Sequence, residues 1–215
     1  MSENEIIAVY LAAGMSRRMG TDKLGLPFGS TTIGNSSLQA AVNSQLNHII
    51  VVTREEDSLN WIDASLFRGS YRDRWSQIKC TDADKGQSNS LKCGLRAAME
   101  LRPIGIMILL ADQPSLSFTI INDLILRFGK LRQEQRNFPF IAASFQGIPR
   151  PPIIFSIEIF PELLKLEGDA GARQLFKKQA SLKSLLVNYE SESDFWDIDT
   201  MEDYYRVKGA VQDHD

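Results

Sequence analysis

Apolar residues follow two rhythms along this chain. Residues 6–11, Ile-Ile-Ala-Val-Tyr-Leu, form an unbroken apolar run rich in β-branched side chains. A run without alternation reads as a strand buried on both faces, the usual state of a parallel-sheet strand. His-Ile-Ile-Val-Val-Thr at 48–53 repeats the pattern, and 104–111 is the most hydrophobic run, predicting a central parallel strand. Shorter strands are predicted at 77–80, 138–144, 153–155 and 183–188, with a last extended piece ending at 197–199. Between them the spacing turns helical. Leu38, Ala41, Val42 and Leu46 follow the cap-rich string Gly34-Asn35-Ser36-Ser37, and Leu91, Leu95, Ala98 and Met99 mark one face of a second helix. Further helices are predicted at 58–67, 117–131, 156–166 and 169–180, and a final one starting at Thr200. Residues 24–32 predict a loop and 147–152 a rigid proline turn. Strand, helix and strand at these lengths predict right-handed crossovers in an α/β fold. No repeat or Gly/Ser/Pro-rich linker divides the 215 residues, so 1–215 reads as one domain.

Composition narrows the chemistry. Hydrophobic residues make up 43 %, enough for a single core, and the formal net charge of -3 argues against general binding of nucleic acid or anionic membrane. Phosphate binding must then be local to a site. Cys80 and Cys93 lie far from a Cys-x-x-Cys spacing and predict reduced, buried thiols in a cytoplasmic protein. His48 and His214 fit no metal-ligand pattern. The polar, acidic amino terminus predicts no signal peptide, and no apolar run approaches the ~20 residues of a membrane span.

The first strand stops at Ala12-Ala13-Gly14, followed by Ser16, Arg17, Arg18, Gly20 and Lys23. Small residues let backbone amides approach a ligand, a ring of amides makes an anion-binding concavity, and Arg and Lys pair with phosphate oxygens. A polyphosphate-binding loop is predicted; the plainer reading is a turn with solvated arginines. It is not a P-loop, because five residues separate Gly14 from Gly20 and Thr21 follows. It is not a dinucleotide fingerprint either, since Gly14 has no glycine two positions on.

Two further stretches carry chemistry. Residues 82–90 are a turn and cap cluster opening a helix whose free amides favour an anion or polar ligand, if they are not simply capped. Asp112 ends the central strand, where open α/β sheets bind ligands, and is the best candidate for a Mg²⁺ ligand. It could instead cap the next helix, unless Ser115 or Ser117 takes that role. No nucleophile with an adjacent base and no catalytic histidine is present. The residues support metal-assisted phosphoryl-type transfer, with Lys23 and Arg18 stabilising charge that grows on the phosphates.

Leu-Ala-Ala-Gly-x-Ser-x-Arg-Met-Gly-x-x-Lys at 11–23 resembles the opening signature of the nucleotidyltransferase superfamily. Leu-x-Leu-Pro-Phe-Gly at 24–29 narrows the resemblance to the MobA/MocA-like molybdenum cofactor cytidylyltransferases, nearest to the branch serving xanthine dehydrogenase in purine catabolism. The resemblance implies a Rossmann-like three-layer α/β nucleotidyltransferase (GT-A-like) fold with a mostly parallel mixed sheet. Its nucleotide-binding half would cover about 5–115 and its acceptor-binding half about 116–208. It implies that Leu11, Ala12, Ala13, Gly14, Ser16, Lys23 and Asp112 hold the nucleotide, with Gly86, Ser88 and Ser90 beside base and ribose. Ala-Asp-Gln-Pro at 111–114, Gly-Asp-x-Gly-Ala-Arg at 168–173 and Asp-Ile-Asp-Thr-x-Glu-Asp at 197–203 resemble later family signatures. Asp197 or Asp199 would complete the metal site with Asp112; Asp199 is favoured as nearer the strand's end, and both could instead complement the helix dipole. Gln113, Arg150 and Arg173 are candidate acceptor contacts, although Arg150 could equally be a surface arginine. The chain departs from its relatives at Arg150-Pro151-Pro152, where they tend to carry Gly-His-Pro, so no role of that histidine transfers.

The implied reaction joins CMP from CTP to the molybdopterin form of the molybdenum cofactor with Mg²⁺, releases pyrophosphate and supplies a xanthine dehydrogenase. Ala12-Ala13-Gly14 resembles the cytidylyl branch, whereas guanylyl relatives more often read Ala-Gly-Gly. One alternative is a cytidylyl- or uridylyltransferase acting on a sugar or polyol phosphate, which would ignore molybdopterin. Another is a non-catalytic carrier of the molybdenum cofactor, whose binding would survive loss of Lys23 and Asp112.

Overall fold

The computed structural model describes residues 5–16, 18–136, 138–168 and 185–212. Among these, seven strands form one sheet: β1 (Ile6–Leu11), β4 (His48–Arg54), β5 (Trp75–Cys80), β6 (Gly105–Leu110), β7 (Phe140–Phe145), β8 (Ile148–Ser156) and β9 (Leu185–Asn188). A two-stranded ribbon, β2 (Pro27–Phe28) with β3 (Thr31–Thr32), lies in the stretch predicted as loop. The helices are α1 (Ile33–Val42), α2 (Gly69–Arg72), α3 (Gln87–Glu100), α4 (Phe118–Gln133), α5 (Phe160–Leu163) and α6 (Met201–Gln212). The predicted helix at 169–180 lies outside the described residues.

The sheet order is β5-β4-β1-β6-β8-β7-β9. Only β8 runs antiparallel to its neighbours β6 and β7, so the sheet is mixed and mostly parallel, as the resemblance implied. β1 is paired on both sides, Ile7 with His48 and Ile7 with Ile106. Its side chains therefore alternate between two cores. Ile6, Ala8 and Tyr10 pack with α1, α4 and α6, whereas Ile7 and Val9 pack with α3 and α5. This explains the absence of polar alternation: neither face of the strand meets water. The buried Tyr10 hydroxyl donates to the carbonyl of Gly34 at 2.6 Å and meets Ser37 Oγ at 2.7 Å, fastening α1 to the sheet. Burial holds its pKa well above the usual phenol value.

The chain leaves β1 towards β4 and β5, then returns to build β6 on the other side of β1. The order therefore reverses between β1 and β6. A crevice opens outside the carboxyl ends of strands at such a switch point. The loop after β1 and the residue after β6 both emerge there.

Three expectations are corrected. Residues 148–152 are strand rather than turn. β8 meets β6 only from Ile153 onwards, so its proline-rich start pairs with β7 alone, across an irregularity between Ala142 and Ala143. Proline, having no N–H, is tolerated on such a one-sided stretch. The Pro151–Pro152 peptide is cis. Residues 196–199 are an irregular segment rather than a strand; one ladder-like bond, Ile198 N–H to the carbonyl of Asp112 at 3.0 Å, ties them to β6's end. Cys80 and Cys93 are not free thiols but a disulfide, with Cα atoms 6.1 Å apart. The 81–86 turn folds α3 back over the end of β5, which brings its second turn beside Cys80 despite a separation of 13 residues.

Candidate active site

The loop after β1 begins by extending the sheet. Ala12 N–H donates to the carbonyl of Val52 at 2.9 Å, and the Leu11 carbonyl accepts from Ala111 N–H at 3.1 Å. Ala12 and Ala13 are buried and Gly14 is exposed. A Cβ at Gly14 would meet nothing within 4 Å, so the loop borders open space there. Ser16 adopts a left-handed φ of 46° and turns the chain; its carbonyl accepts from Met19 N–H and its Oγ from Lys23 N–H at 3.4 Å. Arg17 lies outside the described residues. Lys23 then opens a 3-10 turn, Lys23–Gly25, capped by Asp22.

Lys23 is 7 % exposed, which for a lysine demands partners. Its Nζ donates to Asp112 Oδ2 at 2.6 Å, to the Ile198 carbonyl at 2.9 Å and to Asp199 Oδ1 at 3.3 Å. Burial alone would lower its pKa, but the Asp112 and Asp199 carboxylates outweigh burial and hold it above the ordinary lysine value. Arg18 Nη2 reaches the second oxygen of Asp199, Oδ2, at 3.1 Å. Two cations from the first loop thus meet two carboxylates from distant parts of the chain at the β1–β6 switch point.

Asp112 is free for this because Ser117, not Asp112, caps α4: its side chain accepts from Ile120 N–H. Asp112 Oδ2 is taken by Lys23, whereas Oδ1 is buried with no hydrogen-bond partner. Asp199 is set by the start of α6. Asp203 Oδ2 accepts from the N–H groups of Asp199 at 3.3 Å and Thr200 at 3.0 Å, and the Thr200 hydroxyl accepts from Asp203 N–H at 3.1 Å. This reciprocal cap fixes the backbone that carries Asp199.

Asp197 and Asp199 part company. Asp197 Oδ1 accepts from Gln113 Nε2 at 2.7 Å, which also donates to the Phe195 carbonyl at 3.2 Å. Gln113 is 1 % exposed. Its amide faces the C-terminal segment, and this placement gives no support to an acceptor contact. Sequence reasoning missed this latch, and missed the Ile198 carbonyl as a partner of Lys23. A backbone carbonyl leaves no trace in residue types, but Gln directly after Asp112 was a usable signal.

Gly86 precedes α3 with φ 122°, a conformation that L side chains rarely adopt, and Ser88 and Ser90 are buried in its first turn. Because α3 runs back against the parallel strands, its amino terminus opens at the same sheet end as Asp112. Arg150 is half-buried at that end, on the part of β8 beyond its last pairing with β6. Arg173 lies outside the described residues.

A divalent cation fits the donor set. Asp112 offers a buried oxygen without a partner and Asp199 a half-exposed carboxylate, the hard donors Mg²⁺ uses with substrate phosphates. Among the described residues no group of three or more His, Cys, Asp or Glu is arranged to hold a metal. None of the described helices is long and apolar enough to cross a membrane.

Comparison with known proteins identifies the family and the fold. The purine catabolism protein PucB of Bacillus subtilis (strain 168) is 42 % identical over 207 residues, covering 96 % of this chain and 97 % of that protein. The crystal structure of Rv0371c from Mycobacterium tuberculosis H37Rv superposes with a TM-score of 0.73 at 23 % identity, covering 97 % of this chain and all of that one. A nucleotidyl transferase from Methanothermobacter thermautotroptrophicus gives a TM-score of 0.73 at 18 % identity, covering 99 % and 100 %. The profile of the MobA-like NTP transferase domain matches residues 8–183, and the chain belongs to that family of nucleotidyltransferases.

Proposed function

We propose that this protein transfers CMP from CTP to the terminal phosphate of the molybdopterin form of the molybdenum cofactor. An acceptor oxygen forms a bond to the α-phosphorus, the bond from that phosphorus to the β-phosphate bridge breaks, and pyrophosphate leaves. The observation that carries the reading is the junction of Lys23, Arg18, Asp112 and Asp199 at the switch point. The acceptor phosphate is already an anion, so no general base is required. The rate gain comes from positioning and charge neutralisation. Lys23 and Arg18 neutralise charge gathering on the leaving phosphates, and the Gly14 loop holds the triphosphate with Leu11, Ala12, Ala13 and Ser16. Gly86, Ser88 and Ser90 flank base and ribose. Asp112 and Asp199 would hold Mg²⁺, which would supply neutralisation of the phosphate charge. Arg150 and Arg173 would meet the acceptor. The similarity to a purine catabolism protein supports delivery to a xanthine dehydrogenase, and the manganese complex of Rv0371c supports a divalent ion in this fold.

The test is incubation with Mg²⁺, molybdenum cofactor and each nucleoside triphosphate in turn. Pyrophosphate is expected with CTP; release only with a sugar or polyol phosphate would overturn the acceptor. Lys23→Ala and Asp112→Ala should each lower turnover at least ~100-fold, in the range of a lost charge-stabilising donor. Both proteins should keep the native circular dichroism. Lys23→Ala should also melt lower, because breaking a mostly buried ion pair costs up to ~3–5 kcal/mol, less where water reaches the partner. Full pyrophosphate release by either variant would overturn the assignment.

A further inference from the structure

The position a cation would take between Asp112 and Asp199 is filled by this chain's own lysine. We propose that the Lys23 ammonium is the resting counter-ion of these carboxylates, and that metal gains them only when a triphosphate draws Lys23 away. Metal and nucleotide then bind as a mutually dependent pair. The inference rests on the reading of these residues as a metal–nucleotide site and adds a binding order to it.

Three observations carry it. Lys23 Nζ contacts both carboxylates at once, 2.6 Å from Asp112 and 3.3 Å from Asp199, with its side chain 9 % exposed. Arg18 covers the remaining oxygen of Asp199. Two carboxylates face two cations, so an arriving divalent ion meets no net negative charge and must displace an ammonium that has little water to receive it. The remaining oxygen, Asp112 Oδ1, is buried without a partner, so the site holds one donor that the internal cation does not use. A triphosphate removes both obstacles. Its oxygens accept the Lys23 and Arg18 donors, and its charge makes a divalent ion welcome. Lys23 can make the exchange because its head is a compact point charge on a flexible four-carbon stem. By linkage, whatever factor nucleotide adds to metal affinity, metal adds to nucleotide affinity.

Mn²⁺ is the probe, with free ion counted by its paramagnetic resonance signal, with and without a non-hydrolysable CTP analogue. The wild-type protein is expected to bind Mn²⁺ at least tenfold more tightly with the analogue than alone. Lys23→Gln keeps a hydrogen-bonding head but no charge, and should bind Mn²⁺ alone at least tenfold more tightly than wild type. Adding Asp112→Asn should erase that gain. Equal affinity of wild type with and without nucleotide would overturn the inference, as would no gain in Lys23→Gln. The wild-type comparison stands even if the variant fails to fold. No arm depends on turnover, so a failed CMP transfer leaves the result readable, whereas loss of Mn²⁺ binding in every arm would sink the metal-site reading itself.

Discussion

His48 is a single side chain with a measurable consequence. It opens β4, and its Nε2 lies 2.9 Å from Ser76 Oγ on β5. Burial lowers its pKa; the Asp73 backbone contact opposes this, and Arg74 and Arg72 nearby push it down further. The folded ring therefore stays neutral at a pH where the unfolded chain, with a histidine pKa of about 6.5, takes a proton. A depressed folded pKa contributes stability above the unfolded value that is lost as pH falls through the folded one. Thermal melting from pH 7.5 down to pH 5 should show wild type losing more stability below about pH 6.5 than His48→Gln. Parallel curves for the two proteins would mean that the ring carries no such load. Lys23 shows the opposite case: its raised pKa keeps its contribution intact at all lower pH at which Asp112 stays ionised.

At the scale of elements, the packing of α3 on the sheet explains a glycine in mid-helix. A Cβ built on Gly94 would lie 2.3 Å from Val9 Cγ1 and 2.8 Å from Val52 Cγ2. Both neighbours are β-branched, stiff and held within β1 and β4, so α3 must lift instead. Gly94→Ala is expected to destabilise by about 1–3 kcal/mol despite alanine's better helix propensity. It should also raise KM for nucleotide, because the same helix carries Ser88 and Ser90, which the proposed function sets beside base and ribose. Denaturant unfolding and steady-state kinetics check both; unchanged stability would mean the sheet yields more easily than its valines suggest. The unbroken apolar runs made β1, β4 and β6 legible in sequence, because a strand covered on both faces has no polar alternation to hide. Less was legible at 148–152, where the prolines announced a turn. Whether proline fits a strand depends on which neighbour is missing, and only the observed pairing shows that β6 has already ended. Sequence alone singled out Asp112 and Lys23 as candidates. Their direct contact was not, since 89 residues separate them in the chain.

At the scale of the whole molecule, three distant stretches of the chain meet at one junction. Lys23 arrives from the first loop, Asp112 from the middle and Asp199 from the last connection before α6. The dipeptide Asp112-Gln113 makes the join: the Asp112 carbonyl accepts from Ile198 N–H, and Gln113 Nε2 donates to the Phe195 carbonyl and Asp197 Oδ1. Gln113 thus positions the segment bearing Asp199, and under the proposed function it would act on metal binding through that segment. Gln113→Leu keeps much of the volume but removes both donations and leaves the Asp197 carboxylate one partner fewer. The fold should survive at a cost of roughly 1–3 kcal/mol, the penalty for a buried polar group losing its bond. The Mg²⁺ concentration for half-maximal rate should rise severalfold, with most of kcat recovered at saturating Mg²⁺, because Asp199 is loosened rather than lost. A purely structural glutamine would lower the melting temperature and leave the Mg²⁺ dependence where it was. That outcome would separate the latch from the chemistry and leave the cap by Thr200 and Asp203 as the device that sets Asp199.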